Sequence, residues 1–256
     1  MMPKLTITAS NRDRLQPGTD ISDLFIRSLQ WQTLTDFELL IADGGSKNYE
    51  ALQEYFASHK GPVPMRLVQM QIGEEFERAR LNNVGVRNAA AEYIMTTDVD
   101  MMFAKDFVSE IVSRSGYNTM VESRTLYWKM PVAKQIYAGE LDPYGNIEDC
   151  KIGRIKKRTT AGGCQCMHID QWSRLRGFDE RYIGWGSEDY DLLTRAKKMK
   201  MRISWMGESR ETIKLFHQSH PRNLKRDLEC QEENKKLLRN IKDYKVNENG
   251  WGGISE

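Results

Sequence analysis

Through the first hundred positions the apolar residues fall in short bursts, and their spacing alternates between two periods. Residues 5–8 form a β-rich run that ends in the loop composition Ala9-Ser10-Asn11-Arg12. Ile21, Leu24, Phe25, Ser28 and Leu29 then recur at helical spacing, with Asp20 placed to cap. Residues 37–41 predict a second strand, broken sharply by Asp43-Gly44-Gly45-Ser46. Tyr49, Leu52, Tyr55 and Phe56 predict a second helix, residues 65–70 a third strand, residues 76–91 a third helix and residues 93–96 a fourth strand that feeds Asp98-Val99-Asp100. This alternation predicts an α/β fold with a mostly parallel central sheet and crossover helices. Ligands of such sheets bind beyond the carboxyl ends of the strands, where residues 10–12, 43–46 and 98–100 all fall.

The pattern then loosens. A helix is expected over 107–112 and a strand over 117–128, followed by a polar, glycine-containing stretch, 134–160, that reads as a mobile loop. A strand over 163–169 leads to a short helix capped by Asp170. A helix over 187–198 opens on three carboxylates and buries Leu192, Leu193 and Ala196. Strands are expected at 202–206 and 212–216, a charged helix at 223–240 and a Gly/Trp tail at 247–256. We therefore expect one domain over 1–222, with residues 223–256 packing on it as a helix and tail.

A length of 256 residues is ample for one large core. With a net charge of +2, nothing predicts affinity for nucleic acid, and the basic run at 151–158 reads as a solvated loop or strand edge. No apolar run is long enough for a transmembrane segment, and the start of the chain lacks a signal peptide's apolar stretch. Cys150, Cys164, Cys166 and Cys230 follow no disulfide-scaffold spacing, so a reducing, cytoplasmic setting is expected. Cys164, Cys166 and His168 alternate as a strand does and lack the spacer of a zinc site.

Three groups carry candidate chemistry. Asp98 and Asp100 end an apolar run; alternation along an extended strand would send both to one side, one to a hard divalent cation and the other to ribose or bound water. Two of the four histidines, His217 and His220, stand just past a predicted strand. One imidazole added to carboxylates favours Mn2+, with Mg2+ as the alternative. His217 follows the strand directly and is the preferred ligand, whereas His220 precedes Pro221 and reads as a turn residue. Third, Glu188, Asp189 and Asp191 crowd the first turn of a helix behind Gly184-Trp185-Gly186. A helix N-terminus favours anions, but three carboxylates exceed that need, so a cation or a proton-transfer role is expected. Trp185 offers a flat face to a sugar, and Arg12, Arg78 and Arg80 are candidates for phosphate.

These segments resemble GT-A fold glycosyltransferases. The run Phe76-Glu77-Arg78-Ala79-Arg80-Leu81-Asn82-Asn83-Val84-Gly85 and the Asp98-Val99-Asp100 motif are similar to family 2, and Gly162-Gly163 with Gly177-Phe178-Asp179-Glu180 through Leu192 resembles the acceptor side of the β-1,4-galactosyltransferases. The resemblance implies an inverting, metal-dependent transfer from a nucleotide-sugar donor, UDP-sugar before GDP-sugar, to a hydroxyl of a glycan or other acceptor. It implies that Asn11, Arg12 and Asp43 hold the nucleotide and that Arg78 contacts the donor. Asp100 and His217 would bind Mn2+, with Asp98 on ribose or metal. Gly163 would lie in the acceptor-side block, and Trp185 would border diphosphate and acceptor. Asp189 would be the general base, with Glu188 and Asp191 positioning the acceptor. The galactosyltransferases' methionine ligand falls at Lys214, which cannot serve, so the set would be Asp98, Asp100 and His217. A sugar-1-phosphate nucleotidyltransferase would need a Gly-rich loop after the first strand, which Ala9-Ser10-Asn11-Arg12 is not. A non-catalytic relative would have lost the metal or base positions.

Overall fold

A computed structural model describes residues 3–145, 147–151, 154–155, 162–220 and 224–253. In chain order the elements are β1 (Leu5–Asn11), α1 (Asp20–Gln30), β2 (Phe37–Asp43), α2 (Tyr49–Ser58), β3 (Met65–Gln69), α3 (Arg78–Asn88), β4 (Tyr93–Asp98), β5 (Met101–Phe103), α4 (Phe107–Arg114), β6 (Thr119–Ser123), β7 (Thr125–Tyr127), α5 (Met130–Tyr137), α6 (Ile147–Cys150), β8 (Arg154–Ile155), β9 (Gln165–His168), α7 (Ile169–Leu175), α8 (Glu188–Lys198), β10 (Arg202–Met206), β11 (Leu215–His217) and α9 (Leu224–Arg239).

Among the described residues the strands form a seven-stranded sheet, β10-β6-β9-β4-β1-β2-β3, and a four-stranded one, β5-β11-β7-β8. In the large sheet every neighbouring pair is parallel except those made by β9, which runs against both β4 and β6. The mostly parallel sheet read from the alternation is therefore present. The reversal of β9 matters for the site: its first residues lie at the edge where β1, β2 and β4 end.

The sequence of β1 alternates Leu-Thr-Ile-Thr-Ala-Ser, a pattern that ordinarily marks one wet face, yet all seven residues are buried. Leu5, Ile7 and Ala9 join a core with α1, α2 and α4. On the opposite face Thr6 donates to Glu38 at 2.8 Å, and α3 lies so close that a Cβ at Gly85 would overlap Thr8 Oγ1. A second core joins α3, α7 and α8 to Trp251 of the tail, and a third lies under the small sheet.

Several boundaries differ from the expected ones. The run 117–128 is not one strand: it divides at Arg124 into β6 of the large sheet and β7 of the small one. Residues 134–137 belong to α5, whose first turn holds Pro131, and α6 and β8 also interrupt the expected loop; positions 146, 152–153 and 156–160 of it lie outside the described residues, as do Asn223 and the last three positions of the tail. α7 is capped by His168, whose Nδ1 accepts from Asp170 N at 3.1 Å, so Asp170 is inside the helix rather than at its cap. α9 and the tail hold the loop between α7 and α8. Asn234 Nδ2 donates to Ile183 O at 3.0 Å, and Gly252 N donates to Glu180 Oε1 at 2.7 Å. Among the described residues no helix is long and apolar enough to cross a membrane.

Candidate active site

The strand ends and the start of α8 converge on Arg78, at the first position of α3. Arg78 is 8% exposed, and its guanidinium forks between three carboxylates from distant parts of the chain. Nε donates to Asp98 Oδ1 at 2.8 Å, and Nη1 donates to Asp189 Oδ1 at 2.9 Å and to Glu188 Oε1. Nη2 donates to Gly162 O at 3.2 Å. This is the cation that the carboxylate crowding called for. One positive charge does not offset three negative ones crowded together, Glu188 buried and Asp98 and Asp189 only partly exposed. Burial, with the charges of Asp100 and Asp189, pushes Asp98 up to about 6 against the pull of Arg78. Burial and Asp189 likewise push Glu188 up to about 7. Glu188 Oε2 has no hydrogen-bond partner.

Local backbone strain places these groups. Gly184 and Gly186 have φ of +67° and +103°, and Ser187 follows at +79°, so the chain enters α8 by a tight left-handed path. Asp189 retains 16% side-chain exposure, and Trp185, in the loop that leads into α8, is 39% exposed. A Cβ at Gly162 would overlap Asp189 Oδ2, so glycine there lets the carboxylate approach the backbone closely. Gly163 is buried, and its carbonyl accepts from Thr97 Oγ1 at 2.8 Å.

The Asp98-x-Asp100 motif does not behave as an extended strand. β4 ends at Asp98 and a turn follows, so the two carboxylates part: Asp98 goes to Arg78, while Asp100 faces the small sheet. Asp100, His217 and His220 bring one ligand-capable atom each within 4.8 Å of one another. His220 Nε2 is 3.0 Å from Asp100 Oδ2 and His217 Nε2 is 3.6 Å from Oδ1. Tyr127 stacks on the His217 ring at 4.7 Å. Burial opposes the Asp100 charge, but His217, His220 and Arg14 outweigh it and hold the group down to about 2. Asp100 Oδ1 has no hydrogen-bond donor. A buried carboxylate oxygen without a donor, beside two imidazoles, fits a divalent cation of the manganese type. The structure thus brings His220, read as a turn residue, into the group and leaves Asp98 out of it.

Other expected contacts are engaged with the protein itself. Asp43 is fully buried: Oδ1 accepts from Gly45 N and Ser46 N, and Oδ2 from Asn11 Nδ2 at 2.8 Å and Ser46 Oγ at 2.6 Å. Asn11 and Asp43 together shape the turn where β1 and β2 end. Arg12 holds the carbonyls of Gly73, Glu74 and Glu75 at 2.6, 3.2 and 3.3 Å. Asp191 is 1% exposed and bonds Arg195 Nε at 2.6 Å, one helical turn on, so it braces α8 against the core instead of facing an acceptor.

The fold is that of the GT-A glycosyltransferases. The chain superposes on S. aureus TarS, solved in complex with UDP-GlcNAc, with a TM-score of 0.64 over 92% of this chain and 65% of that one, at 13% identity. The score is also 0.64 on the mannosyltransferase PcManGT from Pyrobaculum calidifontis, in complex with GDP-Man and Mn2+, over 95% and 66% at 15% identity. Residues 23–120 match the family described as glycosyl transferase family 2, and residues 146–221 match the N-terminal domain of galactosyltransferase. Human β-1,4-galactosyltransferase 3 is 29% identical over half of this chain and 28% of its own length. Human β-1,4-galactosyltransferase 4 is 25% identical over 62% and 42%. The chain therefore spans less than half the length of these relatives. The expected resemblance holds: family 2 in the first part, galactosyltransferase in the second, on one GT-A frame.

Proposed function

We propose that this protein is an inverting, metal-dependent glycosyltransferase that moves a sugar from a nucleotide-sugar donor to an acceptor hydroxyl. The observation that carries this reading is the placement of Asp189. It opens α8 with one oxygen on Arg78 and the other beside Gly162, four residues along the chain from the exposed Trp185. A carboxylate that keeps some exposure at the opening of a helix is equipped to take a proton from an acceptor hydroxyl. The tryptophan supplies the apolar surface that orients the acceptor.

The donor is assigned to the ends of β1, β2 and β4, above the turn that Asn11 and Asp43 shape, with Arg12 securing the loop over 73–75. Asp100, His217 and His220 would hold the cation, which when bound offsets the negative charge of a nucleoside diphosphate. Arg78, whose charge is taken up by its carboxylates, connects donor-side Asp98 to acceptor-side Glu188 and Asp189. Solved structures of the same fold bind UDP-GlcNAc or GDP-Man, and the galactosyltransferase-like second part favours a UDP-sugar.

Calorimetric titration of UDP and of GDP, with Mn2+ and then with EDTA, tests the donor side. UDP binding that disappears with EDTA is expected; tighter GDP binding would redirect the donor, and binding of neither would overturn the assignment. Asp189→Asn tests the base. Donor binding should persist while the transfer rate falls about 10²–10⁴-fold, and near-normal transfer by the amide would exclude Asp189 as base.

A further inference from the structure

Beneath the first turn of α8 lies a second acidic group that the proposed reaction does not use. Glu122, on β6, stands opposite Gln165 of β9 in the sheet register and is 0% exposed. Gln165 Nε2 donates to Glu122 Oε1 at 2.9 Å and also to the backbone carbonyl of Asp189 at 3.2 Å. The other two oxygens of this side-chain pair, Glu122 Oε2 and Gln165 Oε1, are both buried and both lack a partner.

Two unsatisfied acceptors flanking one hydrogen bond are costly, and a single proton shared between them would satisfy both. A carboxylic acid at Glu122 turns Oε2 into a donor, and Gln165 Oε1 is the acceptor across the pair. The amide is then held from both ends, with its remaining N–H directed at the start of α8. We propose that Glu122 and Gln165 form a protonated acid–amide pair that positions the first turn of α8, and with it Glu188 and Asp189, beside Arg78. The value of that positioning for sugar transfer rests on the reading of Asp189 as the base.

The surrounding charges agree. Burial comes first and Asp189 adds to it, pushing Glu122 well above the usual carboxylate range, while Gln165 and Lys197 pull the other way. The Cys164 thiol is pushed up as well, by burial first and then by Cys166 and Glu122. A carboxyl raised in the folded state stabilises the fold at low pH, and that stability is lost as pH rises through its folded value. Ionised Glu122 would lose its donor role and place a charge under the carboxylate turn. Glu122 and Gln165 are thus positioning residues, not groups that touch substrate.

The test compares wild type, Glu122→Gln, Glu122→Leu and Gln165→Leu in the full chain, with readouts that need no sugar transfer. The amide introduced by Glu122→Gln can make both bonds of the protonated acid without a titrating proton. Infrared difference spectra of wild type minus Glu122→Gln at neutral pH should show the carbonyl stretch of a buried carboxylic acid. Hydrogen exchange over residues 188–192 should match wild type in Glu122→Gln and quicken about tenfold in the two leucine variants, with β1 and β2 unchanged. As pH is raised, wild type should lose melting temperature relative to Glu122→Gln. A missing carbonyl band, or Glu122→Gln exchanging as fast as Glu122→Leu, would overturn the proposal. If these results hold while Asp189→Asn retains transfer, the pair stands and the assignment of the base falls.

Discussion

Arg78 Nη1 donates to Asp189 Oδ1 at 2.9 Å, so the carboxylate assigned as base shares its cation with Glu188 and Asp98. Removing one partner of a buried ionic group leaves the others unpaired, which costs about 3–5 kcal/mol. Arg78→Ala should lose stability of this order in urea unfolding. Arg78→Lys should fall between, because an ammonium keeps the charge but cannot fork to three carboxylates. An Arg78→Ala protein as stable as wild type would show that the carboxylates do not need the guanidinium.

Metal binding is expected to separate the two aspartates of the motif. Mn2+ titration followed by electron paramagnetic resonance should find His217→Ala and His220→Ala each weakened at least about tenfold. Asp98→Asn should bind nearly as wild type does, because its carboxylate is on Arg78 and not in the Asp100 group. Loss of Mn2+ binding in Asp98→Asn with retention in His220→Ala would return the site to the arrangement expected from the sequence.

Glu188 gives the site a pH signature. Raised by burial and by Asp189 to about 7, it holds a proton in the folded chain that the unfolded chain releases near the ordinary value of 4.5. The folded state therefore binds more protons across that window, and its stability falls as pH climbs from about 4.5 to about 7. Glu188→Gln has no such proton to lose. Melting curves at successive pH values should show it gaining on wild type through the window, and parallel profiles would contradict the raised value.

Asn234 of α9 donates to the carbonyls of Ile183 and Trp185 at 3.0 and 3.4 Å and is itself buried. Asn234→Ala should cost about 1–3 kcal/mol and loosen the loop that presents Trp185. The expected kinetic result is a higher KM for acceptor with UDP affinity retained. Equal loss of both would mean that the variant disturbs the whole fold.

The first hundred residues were legible because each strand and helix there carries its own period, bounded by Gly, Asp or Ser. Past Arg114 the tertiary structure decides. Nothing local says that residues 117–128 divide between two sheets at Arg124, since both halves are equally strand-like. The Asp98–Asp100 alternation misled because it assumed that the strand continues; β4 stops at Asp98, and the turn sends the next carboxylate elsewhere. His220 was undervalued for a similar reason: its place depends on the turn after β11, where Gln218 Nε2 reaches back to Ile21 O at 3.0 Å. The Asp191–Arg195 pair, by contrast, carries a local signal in its i, i+4 spacing, which the assignment of Asp191 to the acceptor passed over. Glu122 in an otherwise buried strand was a signal as well, but its partner lies 43 residues away.

The two family matches meet inside both charge clusters. Arg78 and Asp98 belong to the segment 23–120 and Glu188 and Asp189 to 146–221, while Asp100 belongs to the first and His217 and His220 to the second. Neither segment can assemble a guanidinium cluster or a ligand triad by itself. Exchanging the second segment with that of a relative, to import a new acceptor preference, would therefore also exchange half of each cluster. Such a chimera inherits a working site only if the donor of the segment kept its own partners for Arg78 and Asp100, so the two parts are constrained to diverge together.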